Sequence, residues 1–411
     1  MAVQPYPVRH PEADYVIIEL FGGDNNLSDF VAEDLSEMMS GAQGNVAVVA
    51  MTDVFEGPAR VIELTKAHGI TLLDELGEVD TGDPDFLAGV LARALVSYPS
   101  TARVAIGFWD HGSGVFDEED RTPLRRVIPG ARIPRWRLTR SRRSRRLFFS
   151  EAEVASDAEL RAMLHDDQSG GLLTNREAGR MLRNAFEAAG RTSPVDLIFS
   201  DTCLNGMAEV LCEFESQARC VVGSEELEPG DGWDYHEWLK RIGDAPPADA
   251  DAWGRHAVDA MEAGYTGRPG QFPVTLSAVR AGCGIGEAFA ALIRAAEPFG
   301  RDGFRFLDWA RSQSQNFVAG SYDSYDMIDF ARQLVAGAEI PEIVAAAEAL
   351  EQTVQRAIVH SIAMGDTVAR ATGLAFWFPS SRGSFLKDAS TYRDLKFDET
   401  TGWADYLETH R

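Results

Sequence analysis

Five short apolar runs constrain this chain more than any other feature: YVIIEL (15–20), VAVVAM (46–51), RVIEL (60–64), VAIGFW (104–109) and VDLIFS (195–200). Each is near-continuously apolar and rich in β-branched residues, the pattern of a strand covered on both faces. Segments of helical periodicity separate them. GDPDFLAGVLARALVSYP opens with Asp83 as N-cap and Pro84 at the first helical position, and Phe86, Leu87, Val90, Leu91 and Leu95 line one face. TNREAGRMLRNAFEAAG carries a Thr174–Glu177 capping box and ends on Gly190. Strands alternating with helices predict an α/β fold, a mostly parallel sheet flanked by helices.

The pattern changes past about residue 240. DAPPADADAWGRHAV predicts a linker entering a helix, PVTLSAV (273–279) and GLAFWFP (373–379) predict further strands, and IPEIVAAAEALEQTVQRAIVHSI (340–362) predicts one long helix. The expected organisation is a core over 1–240 and a C-terminal α+β extension over 241–411, helical with additional strands. A chain of 411 residues, 45% of them apolar, is long enough for two or three domains.

Functional groups of an open α/β sheet gather at the carboxyl ends of its strands. Two reactive residues fall there: His111, in VAIGFWDHGSG, and Cys203, in SDTCLNGMAEV. Leu204, Met207, Leu211 and Phe214 continue from the cysteine with helical spacing, which predicts a thiol at a helix N-terminus and a lowered pKa. A histidine in reach would take the thiol proton and later protonate a leaving amine. The backbone N–H groups around Gly112 and Cys203 could bind an oxyanion. Asp201, beside the cysteine, would attract a basic side chain. A buried packing cysteine and a structural histidine are the plain alternatives. His111 with Asp117, Glu118 and Glu119 as a metal-dependent hydrolase is another. HDD (165–167) is expected at a surface helix end, His68, His236, His256 and His360 as structural, and Cys212 and Cys220 as packing.

The formal net charge is −25, which argues against nucleic acid as a partner of the body of the protein. Residues 121–146, RTPLRRVIPGARIPRWRLTRSRRSRR, reverse the sign with eleven arginines and no acid. Subtracting those eleven from 39 basic residues leaves 28 against 64 acids. No run approaches the ~18 apolar residues of a membrane span. The first twenty residues lack the basic start, apolar stretch and cleavage site of a signal peptide. Four cysteines, Cys203, Cys212, Cys220 and Cys283, show no paired spacing, which suits a reducing compartment. A cytoplasmic protein is expected.

DHGSG followed later by SDTCLNGMAEV resembles the clostripain family of caspase-like cysteine peptidases. GGDNNLSDF (22–30), with Asp24 and a double asparagine, is similar to the family's first-strand exit. VVGSEELEPGDGWDY (221–235) resembles its post-cysteine strand and loop, and GLAFWFP its late strand. The resemblance spans roughly residues 14–240, with weaker echoes to about 380. It implies a caspase-like sheet, a His111–Cys203 dyad, cleavage after Arg or Lys, and Asp201 at the base of the S1 pocket. It also implies activation by a cut between the histidine and the cysteine, an interval that here contains the arginine-rich loop. Processing is expected within Arg125–Arg146, at Arg140, Arg142, Arg143, Arg145 or Arg146, by the protein itself or by an upstream protease. Asp24, Glu225, Glu226 and Trp233 are candidates for the cleft, with Tyr235 beside Trp233. No cofactor is expected; some family members need calcium, and DEED (117–120) offers carboxylates for it. The expected partners are protein or peptide substrates with Arg or Lys at the cleaved position. The alternative is a catalytically idle caspase-like module that holds basic peptides in an acidic groove.

Overall fold

The computed structural model describes residues 3–112, 114, 163–267, 273–318 and 322–411. Among these, nine strands form one sheet: β1 (Tyr15–Gly23), β2 (Val46–Val54), β3 (Ala59–Thr65), β4 (Gly69–Gly77), β5 (Arg103–Trp109), β8 (Val195–Asp201), β9 (Ala218–Gly223), β10 (Val274–Arg280) and β12 (Ile358–Met364). Two small pairs accompany it, β6 (Leu164–His165) with β7 (Leu172–Leu173), and β11 (Ser324–Asp326) with β13 (Ala375–Trp377). The order across the large sheet is β12-β10-β9-β8-β5-β1-β2-β3-β4. The five central strands, β9 to β2, run parallel, and antiparallel strands extend both sides. The expected α/β class is the one observed.

The unbroken apolar runs are explained by helices on both faces. Along β1, Val16, Ile18 and Leu20 join one core with Leu87, Leu91 and Met181, while Ile17 and Phe21 join the other with Trp238, Trp253 and Val258. Helix Pro84–Val96 starts as its sequence predicts, the Asp83 carboxylate accepting from Asp85 N (2.9 Å) and Phe86 N (3.2 Å). The Thr174–Glu177 capping box is complete. The linker after residue 244 leads into helix Ala250–Tyr265, capped by Asp249.

One expectation changes. The long helix ends at Ala357, and Ile358–Met364 leaves it as β12, antiparallel to β10. Ile358, Val359 and Ile362 carry β-branched bulk that suits a strand edge better than a last helical turn. PVTLSAV and GLAFWFP supply the expected strands, β10 in the large sheet and β13 in a two-stranded pair. β4 has a half-exposed alternating pattern and was not among the expected strands.

Candidate active site

β5 and β8 are adjacent and parallel, with Trp109 opposite Asp201 and Asp110 N donating to Asp201 O (3.4 Å). His111 and Cys203 each lie two residues beyond these paired strand ends. The backbones touch there: a Cβ at Gly112 would lie 2.4 Å from Cys203 O and 2.8 Å from Cys203 N, so only glycine permits the approach. The N–H groups of Gly112 and Cys203 thus belong to one small volume.

The turn holding the thiol differs from the expected helix start. Helix Ala208–Phe214 begins five residues after Cys203, and Leu204 adopts φ +62. That left-handed conformation costs a non-glycine residue roughly 1–2 kcal/mol. Cys203 therefore sits in a strained turn, beyond the reach of the helix dipole, and its Sγ accepts from Glu228 N at 3.3 Å. Burial pushes the thiol up to about 12, helped by the charges of Glu226 and Asp201. Burial, together with His165, pulls His111 down to about 3. Both residues are at most 5% exposed, so the resting pair is a neutral thiol and a neutral imidazole.

Residues close to His111 in space fix its setting. Its Nε2 lies 2.6 Å from Asn26 Oδ1. Asp110 is fully enclosed and accepts from His111 N (2.5 Å), from Asn25 Nδ2 (2.8 Å) and from His165 N. The double asparagine was visible in the sequence, but its contact with a histidine 85 positions away was not. Asp110, next to His111, gave no signal beyond adjacency.

Asp201 lies in a buried acidic cluster. Its Oδ2 accepts from Tyr235 Oη (2.8 Å) and Trp233 N (3.4 Å), and Tyr235 Oη also reaches Glu19 Oε1 (2.6 Å). Glu228 joins it through a carboxyl–carboxyl hydrogen bond; desolvation foremost, then Asp201, holds the Glu228 acid well up. Gly232, at φ +59, faces the carboxylate, where an added Cβ would lie 3.2 Å from Asp201 Oδ2. Trp233 is buried against Phe199 and Trp238 and reaches Glu228 Oε1 through its indole N–H (3.3 Å). Glu19 and Glu228 were not singled out from sequence, since an acid within an apolar strand and one in a loop carry no mark of their meeting.

The remaining candidates point away from the thiol, although Glu226 stays near it, its backbone oxygen accepting from Leu204 N (3.4 Å). Glu225 and Glu226 are buried and turned toward the C-terminal third, accepting from Gly373 N (2.9 Å) and Val318 N (3.0 Å) respectively. Asp24 is buried beside Asp53 and Asp166. HDD is no surface helix end: His165 closes β6 and Asp166 is fully buried in the turn after it. Arg140, Arg142, Arg143, Arg145 and Arg146, and Asp117, Glu118 and Glu119, lie outside the described residues. Among the described residues no helix is long and apolar enough to cross a membrane.

Residues 20–129 and 151–409 match the model of the clostripain family. A secreted C11 cysteine protease from Bacteroides thetaiotaomicron, solved with an irreversible peptide inhibitor, superposes with a TM-score of 0.65 at 15% identity, covering 95% of this chain and 99% of that one. An inactive zymogen C11 protease from Parabacteroides distasonis gives 0.64 at 15%, covering 96% and 99%. A second structure of a secreted C11 protease from Bacteroides thetaiotaomicron gives 0.65 at 12%, covering 96% and 100%. No curated protein matches the chain in sequence. The central sheet is the caspase-like one of these proteases, and the chemistry of such peptidases is carried by side chains without a cofactor. The expected cytoplasmic placement is overturned by the secreted neighbours. Its physical basis was weak: three of the four free thiols are buried, and a buried thiol reports nothing about the redox state outside.

Proposed function

This chain belongs to the clostripain family and is a cysteine peptidase, and from that premise we propose that it is an endopeptidase cutting after arginine or lysine, made as a closed precursor. Cys203 Sγ attacks the scissile carbonyl carbon while its proton passes to His111. Asn26 Oδ1 lies at hydrogen-bond distance from Nε2 and holds the ring in place. The Gly112 and Cys203 N–H groups take the oxyanion. His111 then protonates the leaving amine, and water, deprotonated by His111, hydrolyses the thioester and restores the thiol.

The observation that carries the specificity is Asp201. It is an enclosed carboxylate two residues from the nucleophile, with the backbone of Gly232 close against it and no basic partner among the described residues. A guanidinium or ammonium entering beside it replaces solvation that the carboxylate lacks. The closed precursor is supported by the burial of both reacting side chains and by the neutral resting pair. The arginine-rich segment 121–146 offers the bonds that this specificity would cut, within the chain or by an upstream protease. The secreted relatives support a site of action outside the cytoplasm as part of this reading.

Wild type and Cys203→Ala test this by intact mass and by cleavage of Arg- and Asp-ended fluorogenic peptides. Wild type should split within 125–146 and turn over the Arg peptide. The variant should stay whole and lose at least about ten-thousand-fold in turnover. Wild type cut in that segment, yet idle on every basic peptide, would instead support the peptide-holding module.

A further inference from the structure

One buried acid joins the C-terminal third to the turn that holds the thiol, and the chemistry above gives it no part. Glu226 lies in the loop after β9 and is 6% exposed. Its N–H, its carbonyl and both carboxylate oxygens are all engaged. The N–H donates to Thr275 Oγ1 on β10 (3.0 Å), and the carbonyl accepts from Leu204 N (3.4 Å). The carboxylate accepts from Leu227 N at Oε1 (3.0 Å), and from Val318 N at Oε1 (3.2 Å) and Oε2 (3.0 Å). No Lys or Arg pairs with it among the described residues, so backbone amides alone compensate an enclosed carboxylate. Two residues further on, Glu228 N donates to Cys203 Sγ (3.3 Å).

The two amides that Glu226 takes from outside its own loop share an uncommon backbone. Leu204 has φ +62 and Val318 has φ +51. That left-handed region is unfavourable for any residue with a Cβ, and most of all for a β-branched one. The one other non-glycine residue in it among the described residues is Asp323, at φ +50. Val318 and Asp323 flank the same pair, since Phe317 N donates to Ser324 O (3.2 Å). Strained residues persist where their surroundings hold them, and they gather at functional sites. We propose that Glu226 is a positioning residue for the peptidase reaction. Its carboxylate clamps the Val318 backbone to the loop that carries the Glu228 amide and grips the Leu204 turn, and so fixes the thiol between them. The inference rests on Cys203 as the nucleophile, the reading given above. The Thr275 bond anchors the clamp in the sheet. Without the carboxylate, Val318 N loses its acceptor, the loop loses its outer support, and Cys203 loses part of its enclosure. Glutamine keeps an oxygen for Val318; alanine keeps none.

Full-length wild type, Glu226→Ala and Glu226→Gln are compared by two readouts. One is alkylation by iodoacetamide at pH 7, followed by mass on the peptide that carries Cys203, which needs no turnover. The other is kcat and KM on an Arg-ended fluorogenic peptide. Glu226→Ala should be alkylated at least about tenfold faster, and should lose at least about thirtyfold in kcat with KM within about threefold of wild type. Glu226→Gln should stay within about fivefold of wild type in both readouts. Glu226→Asp, one methylene short of Val318 N, takes the place of the alanine variant should that fail to fold, and its changes should have the same direction. Alkylation and kcat unchanged in the alanine or aspartate variant, or a glutamine variant as impaired as the alanine one, overturns the clamp. A wild type idle on every basic peptide would overturn the proposed specificity alone, and alkylation of Cys203 would still decide the clamp.

Discussion

Two buried clusters of acids sit at the same edge of one sheet and differ in what surrounds their oxygens. Around Asp201 a tyrosine hydroxyl, a backbone amide and a second carboxyl supply hydrogen bonds. Around Asp53 only the Val54 backbone amide helps, and neither oxygen makes a well-formed hydrogen bond among the described residues. The first cluster is knitted together by those bonds, although Glu19 Oε2 and Glu228 Oε2 are buried without a partner. The second has its frame built from amides and its centre left bare. Burial alone makes an acid costly; the two clusters differ in how far hydrogen-bond donors offset that cost.

Four measurements sharpen or break that contrast. The largest effect concerns the thiol beside the first cluster. With Cys203 pushed up to about 12, the protonated form dominates at pH 7. Alkylation of the uncut chain by iodoacetamide should therefore climb about tenfold per pH unit, about a thousandfold between pH 7 and 10. A plateau near pH 8 would show an ordinary exposed thiol and break the closed-precursor reading. Next, Asp201→Asn should lower kcat/KM for Arg peptides about a hundredfold or more while leaving the fold intact by circular dichroism. An unchanged Arg preference would move the specificity elsewhere. Glu228→Gln replaces a carboxyl that burial already keeps protonated with a neutral donor of similar shape, so its loss should stay below about tenfold. Smallest of all, Asp53→Asn should leave the preference for Arg over Asp peptides unaltered, since its cluster touches no substrate. A change in that preference would merge the two clusters into one.

Much of this was legible from sequence, and the limits are instructive. VAIGFW and VDLIFS announce buried strands, and a histidine and a cysteine just beyond them fall where such sheets keep their chemistry. Their adjacency rests on strand order, β5 next to β8, which the residues between them do not state. The helix expected at Cys203 failed because Leu204, Met207, Leu211 and Phe214 satisfy a helical spacing that Leu204 itself does not obey. IVHSIAM was absorbed into the preceding helix because its apolar content continues the helix's own face until the backbone turns. The Asp24–Asp53–Asp166 group was illegible: Asp53 ends an apolar strand, and Asp166 lies more than a hundred residues on, so only the register of β1 on β2 and the β6 turn bring them together.

The pairing of β5 with β8 has a consequence for the life of the chain. The described chain up to Gly114 carries β5 and the described chain from Met163 carries β8, and these two strands are neighbours in a parallel ladder. A break between them leaves that ladder in place. The two pieces would carry strands β1 to β5 and β6 to β13, interlocked across the middle of the sheet. They should migrate as one body under native conditions and separate only when the sheet is dissolved. Covalent continuity matters for finding this arrangement and much less for keeping it, because the cost of bringing distant strands together falls during folding rather than afterwards. Once folded, the protein can exist as two chains with a single architecture, and a nick would be irreversible in a particular sense: the halves stay assembled for as long as they stay folded, but lose the tether that first let them meet.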